Sequence, residues 1–169
     1  MSRPSIDKGD APFLGAEHVA FLSGTAISSA LAARDASNQP SLAKALGVRV
    51  QADRRVLEVF VDADRASELL RDLRAGSPVA LVSSEPKSHR TIQVKGPRAD
   101  IGPLVPGDEE FVAARVDAIV AHIVPLGYPD GALRAYFAFT PAALVKVVFT
   151  ASAAFLQTPG PGAGAPLKP

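Results

Sequence analysis

The stretch His89-Arg90-Thr91-Ile92-Gln93-Val94-Lys95-Gly96 gathers more hydrogen-bonding chemistry than its neighbours in the chain. Its β-branched residues predict a strand. Side chains alternate along a strand, so Ile92 and Val94 share one face while Thr91, Gln93 and Lys95 share the other. An anion such as phosphate is held by charge-assisted donors, for which Arg90 offers a bidentate fork and Lys95 a point charge. Gln93 can both donate to and accept from the edge of a heteroaromatic ring. Ser88 and His89 precede the strand and fall at the mouth of such a wall. The same alternation also describes an ordinary antiparallel strand with one face on a core and the other in water. The residues alone leave both readings open.

Other chemistries are quickly narrowed. The three histidines, His18, His89 and His122, are too widely spaced for a chelating motif, and no metal site is expected. Ser84, Ser88 and His89 lie close in sequence, but no Gly-x-Ser-x-Gly elbow supports a hydrolase. Gly160-Pro161-Gly162 opens no helix and is no dinucleotide fingerprint. The chain contains no cysteine, which removes disulfides, thiolate nucleophiles, zinc–thiolate sites and iron–sulfur clusters together.

The elements that must position this strand belong to one globular domain. At 169 residues, 47% apolar and 21% charged, the chain suits a single packed core. A formal net charge of +1 gives no electrostatic reason to expect nucleic acid or an anionic membrane surface as partner. The first residues mix Arg3, Asp7, Lys8 and Asp10 with Pro4 and contain no apolar signal core, so a cytoplasmic location is expected. Residues 1–15 read as a flexible lead-in, 16–156 as the folded domain, and 157–169 as a Gly/Pro-rich strap that begins at Gln157.

Within the domain a short helix is expected from Ala16 to Leu22, ended by a left-handed Gly24. Turn formers from Arg34 to Pro40 join a strand beginning near Thr25 to a return strand from Ser41 towards Val50. Val56 to Val61 is a strand. One of the acids at Asp62 to Asp64 caps a helix over Ala66 to Leu73, which Gly76 stops. Pro78 to Val82 is a buried strand. Asp108, Glu109 and Glu110 favour the start of a helix that carries Phe111 to Ile123. Ala135 to Phe139 and Leu144 to Thr150 read as two final strands broken at Thr140-Pro141. Many short strands with a few inserted helices indicate a β-barrel-based α+β fold.

The order of pieces from Gln39 to Gly96 resembles the flavin-binding half of the pyridoxamine 5'-phosphate oxidase-like proteins. Those pieces are Pro40-Ser41 opening a strand, Val59-Phe60-Val61-Asp62 closing one, a short helix, Pro78 to Val82, and Arg90 to Gly96. The ending Gln157 to Gly164 looks like the tail of one bacterial branch of this group. The resemblance implies a six-stranded antiparallel split β-barrel with flanking helices, of the FMN-binding split-barrel type. It further implies a homodimer with FMN in clefts along the interface. Carried over by position, Ser88, His89, Arg90, Thr91, Gln93, Lys95 and Gln157 would hold the cofactor, and the tail would lie as an ordered strap across the dimer.

The chain departs from the true oxidases in three places. Ala43 to Val48 replaces an Arg-x-Val-Leu-Leu-Lys pattern, Asp64 to Ser67 replaces Ser-Arg-Lys, and the C-terminal Arg-x-His is missing. The resemblance therefore implies a flavin-dependent oxidoreductase with a substrate other than pyridoxamine phosphate. The alternative is a non-catalytic split barrel that binds flavin or haem, with His89 as the haem ligand. No residue reads as a catalytic acid or base.

Overall fold

The computed structural model describes residues 14–167. Most of the expected lead-in and the last two residues of the expected strap lie outside the described residues. The chain forms nine strands and four α-helices in the order α1 (Ala16–Leu22), β1 (Ser28–Arg34), β2 (Pro40–Ala45), β3 (Gly47–Val50), β4 (Val56–Asp62), α2 (Ser67–Arg74), β5 (Val79–Ser84), β6 (Thr91–Gly96), β7 (Asp100–Gly102), α3 (Asp108–Ile123), α4 (Asp130–Phe137), β8 (Leu144–Thr150) and β9 (Ala153–Leu156). The strands make two antiparallel sheets, ordered β2-β1-β5-β6-β9 and β3-β4-β8-β7. The expectation was a six-stranded antiparallel split barrel with flanking helices; the described strands form two antiparallel sheets, neither of them closed.

The break between sheets falls where one return strand was expected. Residues 41–50 are two strands, and the chain steps from the first sheet to the second at Leu46, whose N–H bonds the Phe60 carbonyl at 2.8 Å. Apolar residues on both sides of Leu46 hide this step, because each half is buried against a different sheet.

Inner faces of the two sheets enclose the main core, with Leu31, Leu57, Val59, Val61, Leu81 and Val94 fully buried. α2 seals one side of it with Leu69, Leu70 and Leu73, three positions that fall on one helical stripe. A second cluster lies on the other face of the β3-β4-β8-β7 sheet, where Phe60 and Leu144 meet Val112, Val116 and Ile119 of α3. β4 is consequently buried on both faces, which explains its near-continuous apolar sequence.

Three further expectations change. Gly24 does not have a positive φ; it is small because a Cβ there would stand 2.9 Å from the Phe21 carbonyl oxygen. Ala135 to Phe137 is the end of helix α4 rather than a strand. Leu133 and Phe137, four residues apart, are both buried, and Asp130 pairs with Arg134 one turn on at 2.9 Å. The last strand, β9, was not expected and pairs with β6, so Gln93 stands opposite Phe155.

Candidate functional site

Sheet register decides which residues share the outer face of the β2-β1-β5-β6-β9 sheet. Lys44 faces Ala30, Ala30 faces Val82, and Val82 faces Gln93. One row further on, Leu42, Ala32, Ala80 and Lys95 line up in the same way. Three alanines thus form the floor of this face, and longer polar side chains rise at its edges. Two cavities open on it. One, of about 390 Å³, is lined by Ala32, Arg34, Pro40, Ala80 and Lys95; the other, of about 420 Å³, by Ser28, Lys44, Val82, Ser84 and Tyr136.

The expected alternation in β6 holds. Ile92 and Val94 are buried, Thr91 and Gln93 are half-buried, and Lys95 is exposed. Thr91 is the best-tied of the polar residues. Its hydroxyl lies 2.8 Å from Ser84 Oγ, its N–H donates to Thr158 Oγ1 at 3.0 Å, and its carbonyl accepts the Gln157 N–H at 2.8 Å. Gln157 Nε2 reaches Gln93 Oε1 at 3.5 Å. Lys95 Nζ sits 5.1 Å from the centre of the Phe155 ring. Thr91, Gln93, Lys95 and Gln157 are therefore brought into one neighbourhood.

The remaining sequence-derived residues stand apart from it. Ser88 donates to the Glu85 carboxylate and accepts the Arg90 N–H at 3.2 Å, which closes the turn before β6. His89 occupies the left-handed region at φ 59°, a strained position for a residue with a Cβ, and is exposed. Arg90 lies 4.7 Å from the centre of the Phe21 ring of α1. It precedes β6, on the opposite parity from Lys95 and roughly 17 Å along the chain at about 3.4 Å per residue. The cation that shares a cavity with Lys95 is Arg34, which donates to Asn38 Oδ1 at 2.6 Å.

Sequence reasoning passed over Arg34, Ser84 and Lys44. Arg34 and Ser84 each looked like the first residue of a turn. Lys44 had a visible signal: a single cation in the run Ser41-Leu42-Ala43-Lys44-Ala45-Leu46, on the opposite parity from the small residues that enter the core. Burial lowers its pKa to about 8.

Beyond Gln157 the tail doubles back. Gly164 N–H bonds the Leu156 carbonyl at 2.7 Å, Leu156 N–H bonds the Ala165 carbonyl at 2.8 Å, and Leu167 N–H bonds the Ala154 carbonyl at 2.8 Å. Gly160 and Gly164 have positive φ, which the return requires. The described tail thus lies along the free edge of β9.

Searches against known structures return many that share this two-sheet arrangement. A Lactobacillus delbrueckii protein described as a candidate pyridoxamine 5'-phosphate oxidase superposes with a TM-score of 0.54 at 16% identity, covering 87% of this chain and 97% of its own. The fold is that of the pyridoxamine 5'-phosphate oxidase-like proteins. Group A Streptococcus HupZ matches with a TM-score of 0.52 at 12% identity over 89% of this chain and all of its own length (100%). General Stress Protein 26 of Bacillus anthracis matches at 0.51 and 14% identity over 90% and 97%. No protein-family model matches the chain, and no curated protein does. The pyridoxamine 5'-phosphate oxidase-like fold thus accounts for both sheets. Among the described residues no helix is long and apolar enough to cross a membrane, and no cluster of His, Asp or Glu could hold a metal ion.

Proposed function

We propose that this chain is an FMN-binding split-barrel protein that acts as a flavin-dependent oxidoreductase, as a homodimer with the cofactor on the open face of the five-stranded sheet. The observation that carries the reading is the donor set of that face. Lys95 and Arg34 share one cavity and suit a phosphate dianion, which takes charge-assisted bonds from two cations. Gln93, on the same face of β6 as Lys95, carries the donor and acceptor pair that a flavin ring edge needs. Thr91 and Gln157 hold Gln93 and the tail in register. The residues present fit the group, and bound flavin supplies two-electron redox chemistry that no side chain of this chain offers. The protein's part is to anchor the phosphate, orient the ring and shape the pocket.

The dimer is supported by what the same face leaves open. Leu42 is 65% exposed and Tyr136 59%, and both line the cavity of about 420 Å³. An apolar patch bordered by polar residues suits a self-complementary two-fold contact. The test is the visible absorption spectrum of the purified protein, repeated after loading with FMN and removing the free ligand. A stoichiometric flavin spectrum is expected. A blank spectrum after reconstitution would rule the reading out.

A further inference from the structure

Lys44 lies at the other end of the open face, in the cavity of about 420 Å³, and among the described residues is the only cation lining it. Among the described residues no carboxylate comes within ion-pair distance of it. Its amine donates to the Ser28 hydroxyl at 2.6 Å and stands 5.9 and 5.0 Å from the centres of the Tyr136 and Phe137 rings. The cavity walls beside it are Ala30, Leu42 and Val82, and the Ser84 hydroxyl lies across from it. An ammonium in this setting has lost water without gaining a counter-ion, and the neutral amine is favoured. With the pKa lowered to about 8, roughly half of the side chains are neutral at pH 8, against roughly one in a few hundred for an ordinary lysine.

The neighbours do not restore the charge. β1 contributes Ser28 and alanines, and β5 contributes Val82 and Ser84. α4 contributes the Tyr136 ring. Arg65, whose Nη1 bonds the Tyr136 carbonyl at 3.1 Å, has the same sign as Lys44.

We propose that Lys44 is a carbonyl-capturing amine, which condenses reversibly in this cavity with small aldehydes that have an apolar or aromatic body. The neutral nitrogen forms a bond to the carbonyl carbon while the carbonyl π pair moves onto oxygen. One of the two nitrogen protons ends on that oxygen, giving a carbinolamine. The hydroxyl then leaves with the second nitrogen proton as water, and a carbon–nitrogen double bond remains. No oxidant or reductant enters. Ser28 holds the nitrogen, Ser84 is placed to bond the carbonyl oxygen, and Tyr136 at the rim offers a ring face. With no second cation in the cavity, nothing is present to hold an acid group on the ligand, which sets the preference for an uncharged body. The inference stands whether or not flavin occupies the Lys95 end.

The test uses the full chain, benzaldehyde and sodium cyanoborohydride, with the site of labelling read by intact mass and peptide mapping. Among the lysines the benzyl group is expected first on Lys44, about ten-fold or more ahead of Lys87 and Lys95 and accelerating between pH 7 and pH 8 as the neutral fraction grows. Glyoxylate in place of benzaldehyde should label Lys44 more slowly. Lys44→Arg should abolish the fast label, and Lys87→Ala, a residue outside both cavities, should leave it unchanged. Even labelling of all lysines, or an unreacted Lys44 at pH 8, overturns the proposal. Glyoxylate outpacing benzaldehyde overturns its substrate class. Because the wild-type chain reports its own site distribution, a variant that fails to fold does not rescue the idea.

Discussion

The outer faces of the two sheets carry charge in opposite ways. On the β3-β4-β8-β7 sheet, Arg49, Glu58 and Lys146 meet Asp108 from the start of α3. Arg49 Nη1 lies 2.9 Å from both Glu58 and Asp108, and Lys146 lies 3.2 Å from Asp108 and 3.7 Å from Glu58. Two cations and two carboxylates cancel, Gln51 adds a bond to Glu58 at 2.8 Å, and α3 covers the group. On the β2-β1-β5-β6-β9 sheet, Lys44, Lys95 and Arg34 stand on an open alanine floor with no carboxylate in either cavity lining. A saturated buried network fixes one element on another. Cations left unpaired beside a cavity are free to meet a ligand, and this difference is what marks the open face as the candidate site.

Breaking the network should have the largest effect. Lys146→Met leaves the Asp108 carboxylate, 1% exposed, facing Arg49 alone, and should cost about 3 kcal/mol or more in chemical denaturation. Gly96→Ala tests the join between the sheets, because its Cβ would stand 2.7 Å from Phe149 Cδ2 and 2.9 Å from the Thr150 carbonyl oxygen. A loss of about 1–3 kcal/mol is expected.

Acid should act through the same network. Burial alone would raise the Asp108 pKa, but the Val105 N–H, Arg49 and Lys146 outweigh it and hold the carboxyl below its usual 3.8. A depressed carboxyl contributes its full stability above the ordinary carboxylate range and loses it as pH falls through the lower folded-state value. Stability measured from pH 5 downwards should therefore fall, and Asp108→Asn should flatten that fall. An unchanged acid slope in the Asn variant would place the titrating group elsewhere, such as Asp72, which bonds from Ser41 and Arg71 also hold low.

The smallest stability effect should come from the open face. Lys44→Met removes a desolvated cation that has no counter-ion and should be neutral or stabilising by up to about 1 kcal/mol. The same substitution thus has opposite signs at Lys44 and Lys146. Equal losses at both would erase the contrast between the two faces.

Much of this was legible in the sequence. The alternation of β6, the stripe of α2 and the acids opening α3 each follow a local period, and each held. The step at Leu46 and the helical state of Ala135 to Phe137 did not show, because both depend on which distant surface does the burying. The site was half legible. Thr91, Gln93 and Lys95 follow from strand parity alone. Arg34 and Lys44 join them only through register with β5 and β1, and a local reading cannot supply register. Arg90 seemed part of the wall because it adjoins the strand, whereas the left-handed turn at His89 sends the chain past Phe21.

The central claim, that the open face of the five-stranded sheet is the ligand site, is tested most directly by titrating FMN into the protein and following flavin fluorescence. Wild type should saturate, and Arg34→Ala with Lys95→Ala should weaken binding by about ten-fold or more, the loss of charge-assisted bonds to a phosphate. A double variant that binds FMN as tightly as wild type would contradict the account.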